Sequence, residues 1–275
     1  MKKGPYRKRR GPLAGSTKAA AAGSMLALGV GLTLGSAQPA HAEIIFFDNF
    51  QQAGGNNGQP LAATTPDTIP VGASNWLTNN SVNPRFQAGQ VTVSSVTGSR
   101  TGYVLDVPVV PTLTMPIVEF TGEINPAGSR WIDVNLYDDD TTPTTGANTQ
   151  LGIRVRETGA GNTAELRVDN ALAAPAVSID SGLLPFLLTY DSLANTASLT
   201  VGGTEIVSGL DLGSFTPAID GVGLNFQVPQ GGSFTNLTPR VDSLQIELVV
   251  PEPGTIGLLL SGGLLMLCRS KRNHH

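Results

Sequence analysis

The 208 residues from Glu43 to Val250 contain no lysine, no histidine and no cysteine. We call this segment the body of the chain. The absences exclude Ser-His-Asp triads, Cys-His dyads, imidazole or thiolate zinc sites, Schiff-base lysines and disulfides from the body. Any chemistry there is left to carboxylates, tyrosine, arginine or a bound cation.

Positive charge is also scarce in the body, which has seven arginines against 20 acidic residues, a net charge of −13. The whole chain reaches only −4 because both ends are basic. A lysine-free, acidic surface repels phosphate backbones, so we expect no nucleic-acid partner. Such a surface attracts divalent cations, and it also keeps an exported protein dispersed.

No apolar pattern with a 3.6-residue period occurs in the body, whereas short alternating segments recur between turn residues. This pattern predicts an all-β fold, a two-sheet antiparallel β-sandwich formed by one domain over residues 43–250. The predicted strands are Ile44–Phe47, Gln90–Val96, Tyr103–Val109, Ile117–Ile124, Trp131–Tyr137, Leu151–Arg156, Ala164–Val168, Phe186–Tyr190, Ala197–Val201, Glu205–Val207, Val222–Gln227 and Ser243–Val249.

One predicted hairpin is more specific. Residues 187–192 form a strand and a polar turn, and residues 195–203 form an alternating strand that ends at Gly202-Gly203. Asn195 tolerates the left-handed conformation that a turn there requires. Together with the later strands, the hairpin resembles the second half of concanavalin A-like jelly rolls of the laminin G and lectin type. The resemblance implies that the first and last strands, near residues 44–50 and 243–248, pair with each other.

The N-terminus has the three parts of a signal peptide. Residues 1–18 carry seven cations and no acid, the apolar run Met25–Leu34 follows, and Ala40-His41-Ala42 provides a small-residue cleavage site. We predict a helical signal peptide over residues 1–42 that is cut after Ala42. Gly11-Pro12 follows the arginine pair, which favours the general secretory path over the twin-arginine path.

The C-terminal 25 residues also have three parts. Pro251, Glu252 and Pro253 resist helix and strand and predict an extended hinge. The apolar stretch from Gly254 to Cys268 spans about 22 Å as a helix, short for a bilayer core of roughly 30 Å. Cations then follow, and they would stay on the cytoplasmic side. They are Arg269, Lys271 and Arg272.

This tail, residues 251–275, resembles the PEP-CTERM sorting signal of Gram-negative bacteria. The resemblance implies a partner, an exosortase-type membrane protease, which cuts near the triplet after the helix has held the protein in the inner membrane. It also implies a destination at the outer membrane, the cell surface or the medium, often beside extracellular polysaccharide. A plain C-terminal anchor and a buried core helix are the alternatives.

Three carboxylates, Asp138 to Asp140, follow the predicted strand Trp131–Tyr137 directly. Hard oxygen ligands on one loop suit Ca²⁺, and Asp138 and Asp140 can point the same way as alternate residues. Calcium at a rim loop is also what the lectin-like resemblance implies. Pro143 and Gly146 are equally typical of a solvated acidic turn, so both interpretations stay open.

Two aromatic regions are candidates for sugar binding, which needs a flat ring and matching polar groups. Trp76 lies beside Asn75, Asn79 and Asn80 in a loop-like region. On the second candidate, Trp131 alternates with Asp133, Asn135 and Tyr137, so these four share one strand face while the intervening apolar residues face the core. The alternative is that a loop covers this row.

Catalysis is the alternative function to carbohydrate binding. Laminarinase-type hydrolases share the sandwich fold and have a Glu-x-Asp-x-x-Glu strand, but Trp131 and Leu136 stand where both glutamates would be needed. Glu119 and Glu123 lie about 13 Å apart along a strand, too far for a retaining pair. We therefore expect a non-catalytic surface or matrix protein with weak carbohydrate binding. A secreted glycoside hydrolase and a purely structural adhesion protein are the alternatives.

Overall fold

The structure is a computed structural model, and its described residues all come from the second of the two units into which the chain divides, residues 37–275. They are residues 42–51, 60–62, 64–78, 85–87, 89–92, 98–127, 129, 131–138, 148–158, 160–228 and 239–251. Within them the secondary structure is entirely β, and no helix is long and apolar enough to cross a membrane. Both predicted terminal helices, Ala40, and Glu252 to the C-terminus lie outside the described residues.

Sixteen strands make up this part of the chain. They are β1 (Ala42–Asp48), β2 (Leu77–Thr78), β3 (Arg85–Gln87), β4 (Gln90–Thr92), β5 (Gly98–Leu105), β6 (Ile117–Asn125), β7 (Trp131–Tyr137), β8 (Thr149–Thr158), β9 (Gly161–Val168), β10 (Ala171–Leu172), β11 (Val177–Ile179), β12 (Leu184–Asp191), β13 (Thr196–Val201), β14 (Thr204–Asp211), β15 (Gly221–Val228) and β16 (Arg240–Val249).

The strands form two antiparallel sheets, as predicted. In the first sheet the order is β14-β13-β12-β6-β16, and the far edge of β16 is shared by β1 and by β4, with β3 outside β4. In the second sheet the order is β10-β9-β8-β7-β15-β5-β2, and β11 also pairs with β9.

The core lies between the inner faces of the two sheets. Because successive side chains of a strand point to opposite faces, each alternating strand contributes every second residue. In β12 these are Leu184, Phe186, Leu188 and Tyr190, all buried. Phe186 meets Phe120 of β6 edge to face, with ring centroids 5.5 Å apart, a favoured aromatic geometry.

The predicted pairing of the first and last strands is present. Ala42 lies opposite Val249 and Asp48 lies opposite Leu244, with a bulge between Ile44 and Phe46. The predicted turn geometry is also present, since Asn195, Gly202 and Gly203 all have positive φ. Every predicted strand overlaps an observed one.

Two features of the strand prediction need correction. The strand predicted to run to Val109 ends at Leu105, because Asp106 has a φ of 59° and breaks the extended path. Val107 and Val109 then donate backbone hydrogen bonds to Asp220 and Ile219 and still line the core. Four strands of two or three residues were missed, because so short a segment shows no alternation; they are β2, β3, β10 and β11.

Candidate binding site on the outer face of the second sheet

The alternation predicted for β7 is present. Ile132, Val134 and Leu136 belong to the core cluster, whereas Trp131, Asp133, Asn135 and Tyr137 do not. The expectation of an exposed row is wrong, however. Only Trp131 is partly exposed, and the other three side chains are fully buried although they point away from the core.

Register places these side chains within two rows that cross five strands, from β5 through β15, β7 and β8 to β9. Directly paired residues of antiparallel strands share a face, so each row consists of neighbours. One row is Thr101, Asn225, Asp133, Arg154 and Glu165; the next is Tyr103, Gly223, Asn135, Gly152 and Arg167. These ten residues, with Trp131, Tyr137 and Arg156, are called the polar face below.

Two glycines explain how large side chains lie flat on this face. A Cβ at Gly152 would stand 2.1 Å from Oδ1 of Asn135, and one at Gly223 would stand 2.6 Å from the Tyr137 ring. Asn135 and Tyr137 therefore extend over the neighbouring strands in space that any other residue there would fill. The Asn135 Nδ2 donates to the Tyr137 hydroxyl at 3.0 Å. Burial raises the pKa of Tyr137, so its hydroxyl stays protonated.

Two ion pairs hold the charged part of the polar face. Arg154 donates from Nε and Nη2 to the two oxygens of Asp133, each at 2.6 Å, in a bidentate pair. Its Cζ lies 4.4 Å from the centroid of the Trp131 ring, which it covers on one side. Arg156 Nη2 contacts Glu165 Oε2 at 3.1 Å.

The protonation of the central pair reflects this geometry. Burial raises the pKa of Asp133 against the opposing effect of Arg154. Burial lowers the pKa of Arg154, but the hydrogen bonds and charge of Asp133 outweigh it and raise the pKa. Arg154 thus remains a cation beside an aspartate that is fully buried.

The polar face also holds polar atoms that are buried and have no hydrogen-bond partner. Among the described residues, every buried side-chain atom of this kind lies here. Native structures leave very few such groups, since each costs about 1–3 kcal/mol. Six of them on one face mark a region where the protein alone does not complete the hydrogen bonds of its buried polar groups. The atoms are Thr101 Oγ1, Asn135 Oδ1, both amide atoms of Asn225, and the Nε of Arg156 and Arg167.

The interpretation of Trp76 as a sugar plate is wrong. Its side chain is fully buried in the core, with ring centroids 6.1 Å from Phe46 and 5.8 Å from Phe50. Its Nε1 donates to Asp48 Oδ2 at 2.6 Å, which satisfies the one polar atom of the indole. Burial raises the pKa of Asp48 to about 6 despite that hydrogen bond.

The predicted calcium ligands are placed only in part. Asp138 follows β7 and is half-buried, and its backbone N–H donates to Asn148 at 3.2 Å. Asp140 lies outside the described residues. In the part of the chain that is described, no three His, Cys, Asp or Glu side chains gather in a way that could hold a metal ion. Calcium at the acidic loop stays a prediction.

Sequence reasoning missed most of the polar face. The neighbouring strands carry the same signal as β7: Gly152, Arg154 and Arg156 alternate with apolar residues in β8, and Glu165 and Arg167 do so in β9. Applying the period-2 argument to every predicted strand would have found these residues. Which of them stand side by side depends on register, which the sequence leaves open.

Comparison with known proteins gives likeness in fold only. No family model and no curated protein matches the chain. Solved lectin-like structures do match: peanut lectin at 15% identity and a TM-score of 0.46, over 78% of this chain and 100% of that one. The carbohydrate recognition domain of Emp47p matches at 13% identity and 0.45, over 68% and 92%. The VIP36 lumenal domain, with Ca²⁺ and Man3GlcNAc bound, matches at 10% and 0.43, over 64% and 87%.

Proposed function

We propose that the chain is an exported, non-catalytic surface or matrix protein whose polar face binds carbohydrate. The observation that carries this proposal is the set of unpartnered buried atoms on that face. Three are donors, two are acceptors, and the Thr101 hydroxyl is both. Sugar hydroxyls both donate and accept, so a saccharide can satisfy such a mixture once the side chains that cover these atoms move aside. The solved structures named above include carbohydrate recognition domains, but the proposal rests on these side chains.

A ligand can contact the polar face first at its partly exposed side chains. Trp131, Arg154, Arg156 and Arg167 keep contact with solvent, and the Arg156 side chain is 38% exposed. Trp131, which is partly exposed, offers an aromatic surface, and Arg154 lies over one side of its ring. A saccharide that stacks there lies one strand away from Asn225, which belongs to the paired strand β15.

The ion pairs favour binding over hydrolysis. Glycoside hydrolysis needs one carboxylate free as base or nucleophile and one protonated as acid. The two carboxylates of the polar face, Asp133 and Glu165, are each held by an arginine. A bidentate guanidinium stabilises the ionised carboxylate and occupies its oxygens, so Asp133 is poorly suited to either role.

The second part of the proposal concerns sorting. Ala42 and Val249 lie directly opposite each other at one end of the first sheet. The predicted signal peptide and the predicted tail therefore adjoin the domain at neighbouring points, so one end of the sandwich can face the membrane during export. We propose that an exosortase-type protease then cuts near Pro251-Glu252-Pro253 and releases the body to the cell surface or the medium.

Glycan binding is tested with the purified full chain on a glycan array, with and without EDTA. The informative variants are T101V and N225L, which remove unpartnered atoms with little change in volume. We expect both to lose binding while the fold keeps its stability. The matched control is T121V, on the outer face of the first sheet, which should bind normally.

Three other results have defined meanings. Binding to no glycan would support the structural adhesion protein instead, and cleavage of a bound glycan would support the hydrolase. Binding that EDTA abolishes would support the calcium prediction for Asp138 and Asp140. If T101V and N225L bind as the parent does, the polar face is not the site.

Sorting is tested by the mass of the exported protein in a host that has an exosortase. Cleavage near residue 253 removes about 22 C-terminal residues, in addition to the 42 residues lost with the predicted signal peptide. Replacing Pro251, Glu252 and Pro253 by alanine should leave the tail attached and keep the protein in the membrane fraction. Release of that variant at the parental mass would rule out cleavage at the triplet.

A further inference from the structure

The polar face carries an excess of positive charge within an acidic body. Three of the four arginines whose side chains the structure describes stand on it, in the adjacent strands β8 and β9. They are Arg154, Arg156 and Arg167, and the face supplies only Asp133 and Glu165 against them. One cation is therefore left over, although the body as a whole has a net charge of −13.

The contacts identify the cation that is left over. Asp133 receives both hydrogen bonds of Arg154, and Glu165 receives one from Arg156. Arg167 donates from Nη2 to the backbone carbonyl of Asn170, and no described carboxylate contacts it. Its Nε is among the buried atoms without a partner. Burial and the neighbouring charge of Arg154 lower the pKa of Arg167, as expected for a cation held near another cation.

The position of Arg167 relates it to the other partly exposed side chains of the polar face. Arg167 pairs with Gly152, and Gly152 pairs with Asn135, so only a glycine stands between the two side chains in their row. Trp131 is partly exposed and lies on β7, two strands from β9. At about 4.8 Å per strand, a ligand that contacts both Arg167 and Trp131 crosses two strand spacings, roughly 10 Å, more than one sugar unit.

We infer that the polar face binds an acidic oligosaccharide and that Arg167 receives its carboxylate. This inference rests on the proposed carbohydrate binding and adds the class of sugar. The guanidinium, which is partly exposed, supplies the charge for one uronate carboxylate, and Trp131, also partly exposed, stacks on an adjoining unit. The remaining charges of the face are already paired, so a neutral sugar would leave Arg167 uncompensated.

The test compares trigalacturonate with its carboxyl-reduced form by titration calorimetry on the full chain. Both probes have the same length, linkages and remaining hydroxyls. A short probe is needed because the acidic body repels a long polyanion. We expect the acidic trisaccharide to bind about tenfold more tightly, the size of one charge-assisted hydrogen bond. Dextran sulfate oligosaccharide serves as a third arm, and it should bind more weakly than trigalacturonate because its sugar pattern differs.

Variants assign the preference to one side chain. R167Q should bind both trisaccharides equally, whereas R167K, which keeps the charge, should retain most of the difference. R240Q carries the same substitution on the first sheet and should behave as the parent does. A loss of preference in R240Q as well would show a general charge effect and would overturn the assignment to Arg167.

The outcomes distinguish a failure of the inference from a failure of the proposed carbohydrate binding. Equal binding of the two trisaccharides by the parent overturns the inference and leaves carbohydrate binding standing. Binding of neither trisaccharide also overturns the inference, and binding of no glycan on the array overturns carbohydrate binding as well. Tighter binding of the sulfated probe than of trigalacturonate overturns the choice of a carboxylate.

Discussion

The outer faces of the two sheets differ in how their charged side chains are paired and exposed. On the first sheet Glu119 lies directly opposite Glu247, and both are partly exposed. Burial and the charge of Glu247 raise the pKa of Glu119, but water screens the repulsion. On the second sheet Asp133 lies opposite Arg154 and is fully buried. Like charges are tolerated where water reaches them, and opposite charges are paired where it does not.

The difference shows that polar alternation alone does not make a solvent-facing surface. Both sheets have strands that alternate between apolar and polar residues, yet the outer residues Glu119 and Thr121 of β6 are partly exposed whereas Asp133 and Asn135 of β7 are fully buried. At the centre of the second sheet, Asp133, Asn135 and Asn225 are as buried as the core, and two of them carry unpartnered atoms. The experiments below test that contrast.

The largest effect is expected from R154M. It leaves the Asp133 carboxylate buried without a partner, which typically costs about 3–5 kcal/mol of unfolding free energy, measured by urea denaturation. The matched control, R240M on the first sheet, should cost less than about 1 kcal/mol, because Arg240 is partly exposed and donates to the neutral Gln90. The double variant D133L/R154M should recover most of the loss, and failure to recover would show that Arg154 acts through packing on Trp131.

Asp48 provides a buried carboxylate without a cation, in contrast to Asp133. Its pKa of about 6 in the folded state exceeds the ordinary 3.8, so the folded state binds more protons between these values. The contribution of Asp48 to stability is therefore greatest below pH 4 and is lost as the pH rises through 6, a change of about 3 kcal/mol. The difference in unfolding free energy between the parent and D48N, followed from pH 3 to pH 8, isolates this group. A difference that stays constant with pH would contradict the shift.

G152A tests whether the flat packing on the second sheet depends on glycine. The added Cβ meets Asn135 Oδ1, and relieving that overlap should cost roughly 1–3 kcal/mol in thermal or urea unfolding. In an N135A background the same substitution should cost little, because the obstructing atom is gone. Equal costs in both backgrounds would mean that Asn135 is not what the new methyl group displaces.

The smallest effect is expected from T101V. Removing a buried hydroxyl that has no partner should leave stability unchanged or raise it by up to about 1 kcal/mol. T121V on the first sheet should change it by less than about 0.5 kcal/mol, since that side chain is partly exposed. If T101V destabilises the protein instead, its hydroxyl is satisfied in solution and the polar face is less open to a ligand than proposed.

Much of the fold could be predicted because alternation is a local signal. Trp131–Tyr137 was predicted with its observed bounds, and the inner position of Ile132, Val134 and Leu136 followed from the same period. Trp76 could not be placed this way, because its neighbours show no regular period. Its burial against Phe46 and Phe50 depends on contacts across about 30 residues of chain.

Only part of the candidate site could be predicted, because alternation within a strand does not show which strands pair. Its β7 residues were found, but Arg154, Glu165 and Asn225 became part of a site only through strand pairing. The sequence of a single strand does not determine which residue of another strand lies beside it. The same limit applies to Thr101, whose missing partner is a property of its surroundings and not of its segment.

The sequence by itself determined the all-β body, the inner and outer faces of its longer strands, and the exclusion of histidine, cysteine and lysine chemistry, because composition and a two-residue period are local properties. Only the tertiary structure decided which polar side chains are buried, which are paired, and which, like Asn225 and Arg167, are left with unpartnered atoms. Burial and pairing are set by neighbours from other strands, and the register that brings those neighbours together arises from packing the whole sandwich.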